Sequence, residues 1–355
     1  MQVMVAMSGG VDSSVAAAML RDDGHDVVGV TLKLWGGESD SGCCSVSDVD
    51  DARRVAQQLD IDHLVFNFSE DFEHNVVDPY IADHASGITP NPCIECNRHL
   101  KFDRLMARAD ALGFDMLATG HHAQIVRTPS GAPRLARGAD FAKDQSYVLH
   151  MLSAAQLERV MFPIGSMTKD EVRERATELG LRTAGKPDSQ DVCFISHTGG
   201  GRRVFLGDRI EMHPARLVDE SGTQLGAVEA VELVTIGQRR GLGIGIDGHP
   251  RYALEVDVPN RTVLVGAAAD LDVTGELLRS FEWVDAQARE DSLDSTTLIA
   301  QLSAHGEPVE VADLSETSDA LEVLWVSPQR RVAPGQSVVL YDNGLVVGGG
   351  LVSRR

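Results

Sequence analysis

The sequence predicts an α/β domain built on a parallel sheet, followed by a small β domain and a C-terminal β-barrel. Apolar runs typical of strands alternate with helical patterns over residues 1–125, which favours a parallel sheet covered by helices on both faces. After about Ile195, short runs of alternating hydrophobicity dominate instead. We therefore expect three domains, at residues 1–197, 202–270 and 271–355.

The N-terminal region contains four candidate strands and five candidate helices. The strands are expected at Val3–Met7, Val27–Leu34, His63–Phe68 and Met116–Thr119. The helices are expected at Ser13–Arg21, Ser47–Leu59, Leu100–Leu112, Ala154–Val160 and Lys169–Leu179. Ser47 precedes a run of acidic residues and is predicted to cap its helix, while Thr168 and Gly180 are predicted to bound the last helix.

The C-terminal half is predicted to consist mainly of strands. A glycine-rich linker, His197–Gly201, separates it from the α/β domain. The candidate strands are Ala215–Val218, Leu233–Ile236, Tyr252–Val256, Val263–Val265, Thr296–Leu302, Ala320–Trp325, Ser337–Tyr341 and Leu345–Leu351.

Composition favours a soluble multi-domain enzyme. Of the 355 residues, 43% are hydrophobic and 24% are charged, and no apolar run is long enough to cross a bilayer. Met1–Ser8 lacks the basic start and cleavage pattern of a signal peptide, so we expect a cytoplasmic protein without membrane contact. Five cysteines are too few for a secreted disulfide framework.

The net charge of −21 argues against nucleic-acid binding through bulk electrostatics. Phosphate contacts are then expected only at focused patches. The candidates are the arginine pairs Arg53–Arg54, Arg202–Arg203, Arg239–Arg240 and Arg330–Arg331. Paired arginines on a surface are usually solvated, so the pairs alone do not establish RNA binding.

A candidate phosphate loop, Ser8–Ser14, follows the first strand and opens a helix. Gly9 and Gly10 allow a tight turn in which successive N–H groups point into one concavity. Ser13 and Ser14 lie at the helix N-terminus, which favours anions. The loop lacks the Gly-Lys-Ser/Thr of a Walker A motif, and a capped glycine-rich turn without a ligand is the simpler alternative.

Three cysteines are candidates for chemistry. Cys93 and Cys96 form a Cys-x-x-Cys pair just ahead of a helical run, where a helix N-terminus lowers the pKa of a thiol. Cys193 is the third. The pair also fits a redox couple or half a zinc site, but a four-cysteine zinc site is disfavoured because no second Cys-x-x-Cys exists. The adjacent Cys43 and Cys44 are expected to be structural thiols.

Seven ordered segments together resemble the bacterial tRNA-specific 2-thiouridylase family. They are Met7–Ser14, Thr89–Phe102, Ala118–Ala123, Lys143–Tyr147, Lys186–Phe194, Thr235–Gly245 and Pro334–Gln336. The first of them resembles the pyrophosphatase-type loop of ATP-dependent adenylating enzymes, whose fold is that of the adenine nucleotide α-hydrolases. In that superfamily ATP is cleaved between its α and β phosphates, and the loop holds the pyrophosphate.

The resemblance implies ATP-dependent 2-thiolation of the wobble uridine, U34, in tRNA. The C2 oxygen would be adenylated, and sulfur would then replace it with release of AMP and pyrophosphate. ATP and Mg²⁺ are the implied cofactors. The implied partners are a sulfur-donor protein and the anticodon loops of the Glu, Gln and Lys tRNAs.

The resemblance also assigns residues. Cys96 matches the nucleophile, Cys193 matches the cysteine that carries the persulfide, and Asp12 is implied in positioning magnesium or the loop. The ATP-contacting positions are Ala6, Met7, Ser8, Gly9, Gly10, Val11, Asp12, Ser13, Leu32 and Gly120. The tRNA-contacting positions are Asn91, Pro92, Cys93, His121, Lys143, Asp144, Gln145, Ser303, Ala304 and Gln336.

Three departures from the family bear on these assignments. Cys93 stands where many members have aspartate, and the linker after Cys193 is short. A basic element of the family's barrel is Ser303-Ala304-His305 here, in a region (265–325) with fourteen acidic residues and two arginines. We therefore expect weak tRNA contacts from the barrel.

The role of Cys93 leaves two sulfur routes open. Cys93, Cys96 and Cys193 could hold a [4Fe–4S] cluster with one open iron that carries sulfide, or a zinc ion. In the persulfide route Cys96 and Cys193 cycle through a disulfide instead. Two further functions compete with thiolation: a different adenylating ligase, which leaves the cysteines without a task, and a nucleotide-binding sensor with a structural metal.

Overall fold

The chain forms two structural units, which are visible in a computed structural model. The residues described are 1–35, 46–188, 192–195, 200–245 and 248–354. Outside them lie Cys43 and Cys44, residues 189–191 of the motif before Cys193, and residues 197–199 of the predicted linker. The first unit comprises 1–77, 92–199 and 344–346, and the second comprises 78–91, 200–343 and 347–355.

The N-terminal strands are short and mostly parallel. They are β1 (Gln2–Ala6), β2 (Asp26–Lys33), β3 (Asp62–Asn67), β4 (Met116–Thr119), β5 (Ala123–Arg127), β6 (Pro133–Arg137) and β7 (Val160–Met161). Five of them form a parallel sheet in the order β3-β2-β1-β4-β7. Ala6 pairs with both Val30 and Thr119. The carboxyl ends of β1 and β4 are therefore adjacent, and the loops that follow them start at the same edge.

Helices and turns connect these strands. The α-helices are α1 (Val11–Asp22), α2 (Val46–Leu59), α3 (Ser69–Phe72), α4 (Asp78–Ala85), α5 (Pro92–Glu95), α6 (Leu105–Leu112), α7 (Ala154–Leu157) and α8 (Lys169–Glu178). The described residues of this region also include π-helical stretches at Glu73–Val77 and Cys96–Arg104 and 3₁₀ turns at Phe141–Lys143 and Ser146–Leu149.

The core of the first unit forms where α1 packs on the sheet. Val15, Ala16, Ala17 and Ala18 are fully buried, because α1 is covered by β1, α2 and α8. Small side chains on α1 let these neighbours approach closely. This packing fixes the N-terminus of α1 at the carboxyl edge of the sheet.

The predicted helices need three corrections. Helix α2 begins at Val46, so Ser47 lies in its first turn rather than capping it. Helix α7 ends at Leu157, since Val160 and Met161 pair with Leu117 and Ala118 to extend the sheet. The predicted helix at Leu100–Leu112 starts earlier, as the π-helical stretch from Cys96, and becomes α-helical only at Leu105. The cap at Thr168 is confirmed, with its hydroxyl accepting from the Glu171 amide.

A small sheet forms the first part of the second unit. Helix α9 (Gly201–Gly207) precedes β8 (Ala215–Val218), β9 (Gln224–Val228), β10 (Tyr252–Asp257) and β11 (Thr262–Gly266). The sheet order is β10-β11-β8-β9, and its core contains Leu217, Val263 and Val265. The strand predicted at Leu233–Ile236 is absent: a 3₁₀ turn spans Val231–Leu233, and the next residues are irregular.

A closed six-stranded barrel ends the chain. Its elements are β12 (Asp272–Trp283), α10 (Ala286–Leu293), β13 (Ile299–Gln301), β14 (Val309–Glu316), β15 (Ala320–Arg330), β16 (Ser337–Asp342) and β17 (Leu345–Val352). The barrel order is β12-β15-β14-β13-β16-β17, and pairing of β12 with β17 closes it. The predicted fold class is confirmed. Among the described residues no helix is both long and apolar enough to cross a membrane.

Candidate active site

The turn between β1 and α1 has the geometry of an anion-binding loop. Gly9 has φ +73°, and a Cβ there would lie 2.3 Å from the Asp48 carbonyl oxygen, so glycine is required on two counts. Gly10 is extended and precedes α1 without any side chain capping the helix. The Ser13 hydroxyl accepts from the Ser8 amide at 3.2 Å and tightens the turn. The first amides of α1 are thus available to an anionic ligand.

Gly120 brings the end of β4 against this loop. A Cβ on Gly120 would lie 2.5 Å from the backbone nitrogen of Ser13, so any larger residue would displace the N-terminus of α1. Leu32, another predicted ATP contact, is buried in β2. Ala6, Met7, Ser8, Gly10 and Val11 all belong to the same strand end and turn.

Asp12 in the first turn of α1 is held by two basic side chains. Both of its carboxylate oxygens lie 2.7 Å from Nζ of Lys169, and Oδ1 lies 3.3 Å from Nε2 of His122. Burial by itself would raise the pKa of the Asp12 carboxyl, but the hydrogen bonds from His122 and Lys169 outweigh burial, and the pKa is lowered. The cation beside Asp12 in this structure is therefore Lys169.

Asp188 extends this network towards the segment that carries Cys193. Its carboxylate lies 2.9 Å from Lys169, 2.7 Å from Lys143 and 2.9 Å from Arg173. Burial opposes ionisation, but the hydrogen bonds from Lys143 and Lys169 prevail and lower the pKa of Asp188 to about 2. One lysine, Lys169, therefore joins the loop to the Lys186–Phe194 motif.

Lys186 fixes the other side of the loop. Its Nζ donates to the Gly9 carbonyl at 2.9 Å and lies 2.7 Å from Asp48 and 2.9 Å from Asp51 on α2. Burial would lower the pKa of Lys186, but the two aspartates raise it. Lys169, Asp188 and the pairing of Lys186 with α2 escape sequence reasoning, because their partners are distant in the chain. The scarcity of lysine is the one sequence signal that could have drawn attention to Lys169 and Lys186.

The three cysteines lie on two segments of the first unit. Cys93 is exposed within α5, whereas Cys96 begins the π-helical stretch and is half-buried. Cys193 is also half-buried. Its neighbour Phe194 packs on Phe72 of α3, with ring centroids 5.6 Å apart.

Helix α3 also contacts the thiol-bearing helix. Arg104, at the end of the π-helical stretch, lies 3.0 Å from Asp71 of α3. The Cys193 segment and the helix that starts at Cys96 thus pack on the same short helix, although they are far apart in sequence.

The residues as placed do not form a three-ligand metal site. Across the described part of the chain, no three His, Cys, Asp or Glu side chains are grouped closely enough to hold a metal ion. Cys93, Cys96 and Cys193 all belong to that described part. The described residues therefore do not provide a set of ligands for the cluster or for zinc. Both carboxylate oxygens of Asp12 are already hydrogen-bonded to Lys169.

Several predicted tRNA contacts have their side chains engaged inside the first unit. Asp144 is only 7% exposed and accepts from Arg137, the Gly138 amide and Ser146. Gln145 accepts from the His122 amide at 2.9 Å. Lys143 is more accessible but binds Asp188. Direct RNA contact by these residues stays a prediction.

His121 is buried and neutral. Burial and the neighbouring charge of Lys101 hold the pKa of its imidazole well below the usual value. Its Nδ1 lies 2.7 Å from the Thr119 hydroxyl, and its Nε2 lies 3.5 Å from Nζ of Lys101. An ammonium can only donate, so Nε2 is the acceptor and Nδ1 carries the proton.

The remaining predicted contacts are spread over both units. Pro92 is buried at the start of α5, and Asn91 is half-buried just before it. In the second unit, Gln336 donates to the Thr89 carbonyl at 2.6 Å. Ser303 and Ala304 occupy the turn between β13 and β14, where Ser303 is exposed.

Comparison with known proteins places this arrangement in a family. The tRNA-specific 2-thiouridylase of Roseiflexus castenholzii is 43% identical, with 99% of this chain and 99% of that protein covered. The chain belongs to the tRNA-specific 2-thiouridylase family. Other members are 44% identical in Herpetosiphon aurantiacus, covering 99% of this chain and 98% of that protein, and 47% identical in Mycolicibacterium paratuberculosis, covering 96% and 94%.

Three family models divide this thiouridylase-family chain along its length. A "tRNA methyl transferase HUP domain" matches residues 1–197, a "tRNA methyl transferase PRC-barrel domain" matches 203–267, and an "aminomethyltransferase beta-barrel domain" matches 274–352. The first covers more than half of the chain and contains the loop, the lysine network and all three candidate cysteines.

Proposed function

We propose that this protein replaces the C2 oxygen of the wobble uridine of tRNA with sulfur, consuming ATP and releasing AMP and pyrophosphate. One arrangement carries the proposal: an anion-binding loop and a thiol-bearing helix converge on the same sheet edge. The loop meets Gly120 at the end of β4, and the next residue, His121, contacts Lys101 on the helix that begins with Cys96. Thiouridylases more than 40% identical over nearly the whole chain support it.

The first half of the reaction turns the C2 oxygen into a leaving group. A uridine carbonyl is a poor electrophile, because its oxygen would have to leave as oxide. The oxygen attacks the α-phosphorus of ATP, the bond to the β-phosphate breaks, and pyrophosphate leaves. The Gly9–Gly10 turn and the free amides of α1 hold the pyrophosphate and stabilise its growing charge.

Lys169, Lys186 and Asp12 maintain the shape of that loop. The buried Lys169 neutralises Asp12, and Lys186 links the Gly9 carbonyl to the aspartates of α2. Mg²⁺ normally accompanies ATP and would supply further charge neutralisation on the phosphates. Asp12 is already satisfied by Lys169, so its assigned role here is to position the loop.

The second half transfers sulfur. A donor protein charges Cys193 with a persulfide, whose terminal sulfur attacks C2 while AMP departs with the former carbonyl oxygen. The Cys96 thiolate then attacks Sγ of Cys193, the sulfur–sulfur bond breaks towards the base, and 2-thiouridine is released. Cys96 and Cys193 are left as a disulfide, which a thiol reductant restores. No three-ligand group is present in the described residues, so Cys93 is given no part in holding a metal.

The substrate is proposed to be the anticodon loop of the Glu, Gln and Lys tRNAs. The target base must leave its stack to reach the thiols, at a cost of roughly a few kcal/mol. Loop nucleotides are the least costly to extract. The resemblance assigns Asn91, Pro92 and Cys93 to the segment beside the target base. The exposed pair Arg239–Arg240 would supply charge for phosphates elsewhere on the RNA.

Nucleoside analysis tests this function. Purified protein, ATP, unmodified tRNA and a persulfide donor should yield 2-thiouridine and one pyrophosphate per base, and deletion of the gene should remove the nucleoside from cellular tRNA. A sensor would release no pyrophosphate, and another ligase would release it without tRNA. Methylated nucleosides in place of thiolated ones would reject sulfur transfer in favour of the chemistry named in the family models.

A further inference from the structure

Lysine is rare in this chain, and its placement is selective. The sequence has 27 arginines but only five lysines: Lys33, Lys101, Lys143, Lys169 and Lys186. Most of the cationic side chains are therefore arginines. Arginine carries a wide planar fork, whereas lysine carries a compact, movable point charge. Positions that retain lysine are candidates for sites where the point charge itself is needed.

Three of the five lysines are matched by carboxylates. Lys143 pairs with Asp188, and Lys186 pairs with Asp48 and Asp51. Lys169 pairs with Asp12 and Asp188. Their charges are therefore neutralised within the protein, where these lysines hold the loop and the segment before Cys193.

Lys101 differs because its partner is neutral. The side chain is half-buried, and its Nζ contacts Nε2 of His121 at 3.5 Å. His121 donates its Nδ1–H to the Thr119 hydroxyl and stays uncharged, since protonation beside Lys101 would be opposed by burial and by repulsion. Among the described residues no carboxylate lies within ion-pair distance of Lys101. A half-buried ammonium without a counter-charge favours an anionic ligand.

The position of Lys101 identifies that ligand. In a π-helix, residue i+5 lies one turn after residue i, so Lys101 follows the candidate nucleophile Cys96 by one turn. His121 holds Lys101 from the other side and directly follows Gly120, which touches the N-terminus of α1. Lys101 thus lies between the thiol and the nucleotide loop, where the phosphate of an adenylated uridine would be.

We propose that Lys101 is a catalytic residue whose ammonium binds the phosphate of the adenylated uridine and stabilises AMP as it leaves C2. This rests on the proposed function. As sulfur bonds to C2, the electron pair of the C2–O bond passes to the oxygen attached to phosphorus, and AMP gains one negative charge. Lys101 donates a hydrogen bond to that phosphate without giving up its proton. His121 is the positioning residue that aims the ammonium.

Measuring the rates of adenylation and thiolation separately distinguishes this role from a role in ATP binding. Lys101→Met removes the charge, and Arg108→Met removes an exposed charge from the helix that follows, as a matched control. With [α-³²P]ATP and charged enzyme, Lys101→Met should adenylate tRNA within about threefold of wild type and form 2-thiouridine about 100-fold more slowly. Labelled tRNA should therefore accumulate. Arg108→Met should match wild type, and Lys101→Arg should recover part of the lost rate.

Equal losses in adenylation and thiolation would overturn the proposal, because Lys101 would then serve ATP binding or folding. Unchanged thiolation by Lys101→Met would overturn it as well. Thermal unfolding at the wild-type temperature shows that the variant is folded; if it is destabilised, Lys101→Arg must fold and thiolate faster for the proposal to stand. If wild-type protein itself makes no 2-thiouridine, the proposed function fails instead, which is a different result.

Discussion

Both carboxylate oxygens of Asp12 lie 2.7 Å from the ammonium group of Lys169. The same ammonium lies 2.9 Å from Asp188. The first turn of the helix after the phosphate loop is thus connected, through one buried lysine, to the segment leading to Cys193. Conditions that break this connection should affect both the nucleotide and the sulfur side of the site.

Asp12→Ala should leave the protein folded but lower ATP-dependent thiolation by about 100-fold or more. Without Asp12, Lys169 keeps Asp188 but no longer anchors the first turn of α1. Pyrophosphate release in the presence of tRNA measures the effect, with Asp170→Ala, an exposed neighbour of Lys169, as the control. Near-wild-type pyrophosphate release by the Asp12 variant would contradict the role assigned to Asp12 in positioning the loop.

Cys93→Ser should retain thiolation, whereas Cys96→Ser and Cys193→Ser should each abolish it. Cys93 is exposed, and no three-ligand group exists in the described residues. Protein purified without oxygen should be colourless and free of iron. Brown protein with equal iron and sulfide, which loses both colour and activity in Cys93→Ser, would establish the cluster route instead.

Arg239→Ala and Arg240→Ala should each flatten the salt dependence of tRNA binding. Both side chains are exposed, and each neutralised phosphate contributes about 0.7 to 0.9 to the log–log slope. Equilibrium binding from low to moderate salt measures the slope. A larger effect from replacing Arg330 or Arg331, in and after β15, would make the barrel the main tRNA platform.

Gly120→Ala should weaken ATP binding by at least about tenfold. The added methyl group would lie 2.5 Å from the Ser13 nitrogen and push the N-terminus of α1 away from the end of β4, which distorts the loop. Gly207→Ala, where a Cβ meets nothing within 4 Å, is the control. Titration with labelled ATP compares the two, and equal affinities would show that the loop tolerates displacement.

Stability should fall between pH 7 and pH 5, in part through His84. The side chain is 3% exposed and packs edge-to-face against Tyr80, and burial lowers its pKa to about 4. The unfolded chain takes up a proton below about pH 6.5 while the folded chain does not, so the contribution is lost as pH falls. The expected loss is about 2 kcal/mol for this residue.

Urea unfolding at the two pH values measures this loss. His84→Phe keeps an aromatic ring against Tyr80 and should show a smaller pH-dependent change than wild type. His305→Gln, at an exposed turn, should behave like wild type. An unchanged pH dependence in His84→Phe would assign the effect to other histidines.

Local patterns account for the parts of the fold that the sequence predicts. The first strand, the glycine turn and α1 follow one another within about twenty residues, so periodicity and turn chemistry suffice. The short strand at Val160–Met161 is different, because only pairing with β4 makes it a strand. Strand β12 was missed because polar residues interrupt it and it bends where Ser280 has φ +48°.

The candidate site shows the same division. The loop and the Cys-x-x-Cys pair are contiguous motifs, and the sequence predicts them. The pairing of Asp12 with Lys169 depends on how α8 packs on α1, which no local pattern encodes. The π-helical stretch is likewise invisible to a helical pattern, although it sets the spacing between Cys96 and Lys101.

Because the chain has only five lysines, acylation of amino groups can report on the site. Acylating reagents attack deprotonated amines, and ammonium groups held against carboxylates react slowly. Lys143, Lys169 and Lys186 are protected in this way, and Lys33 is exposed at the end of β2. Peptide mass mapping after brief acylation can therefore follow Lys101, with the exposed Lys33 as an internal reference. Occupancy of the nucleotide site becomes a measurable change in the reactivity of a single side chain.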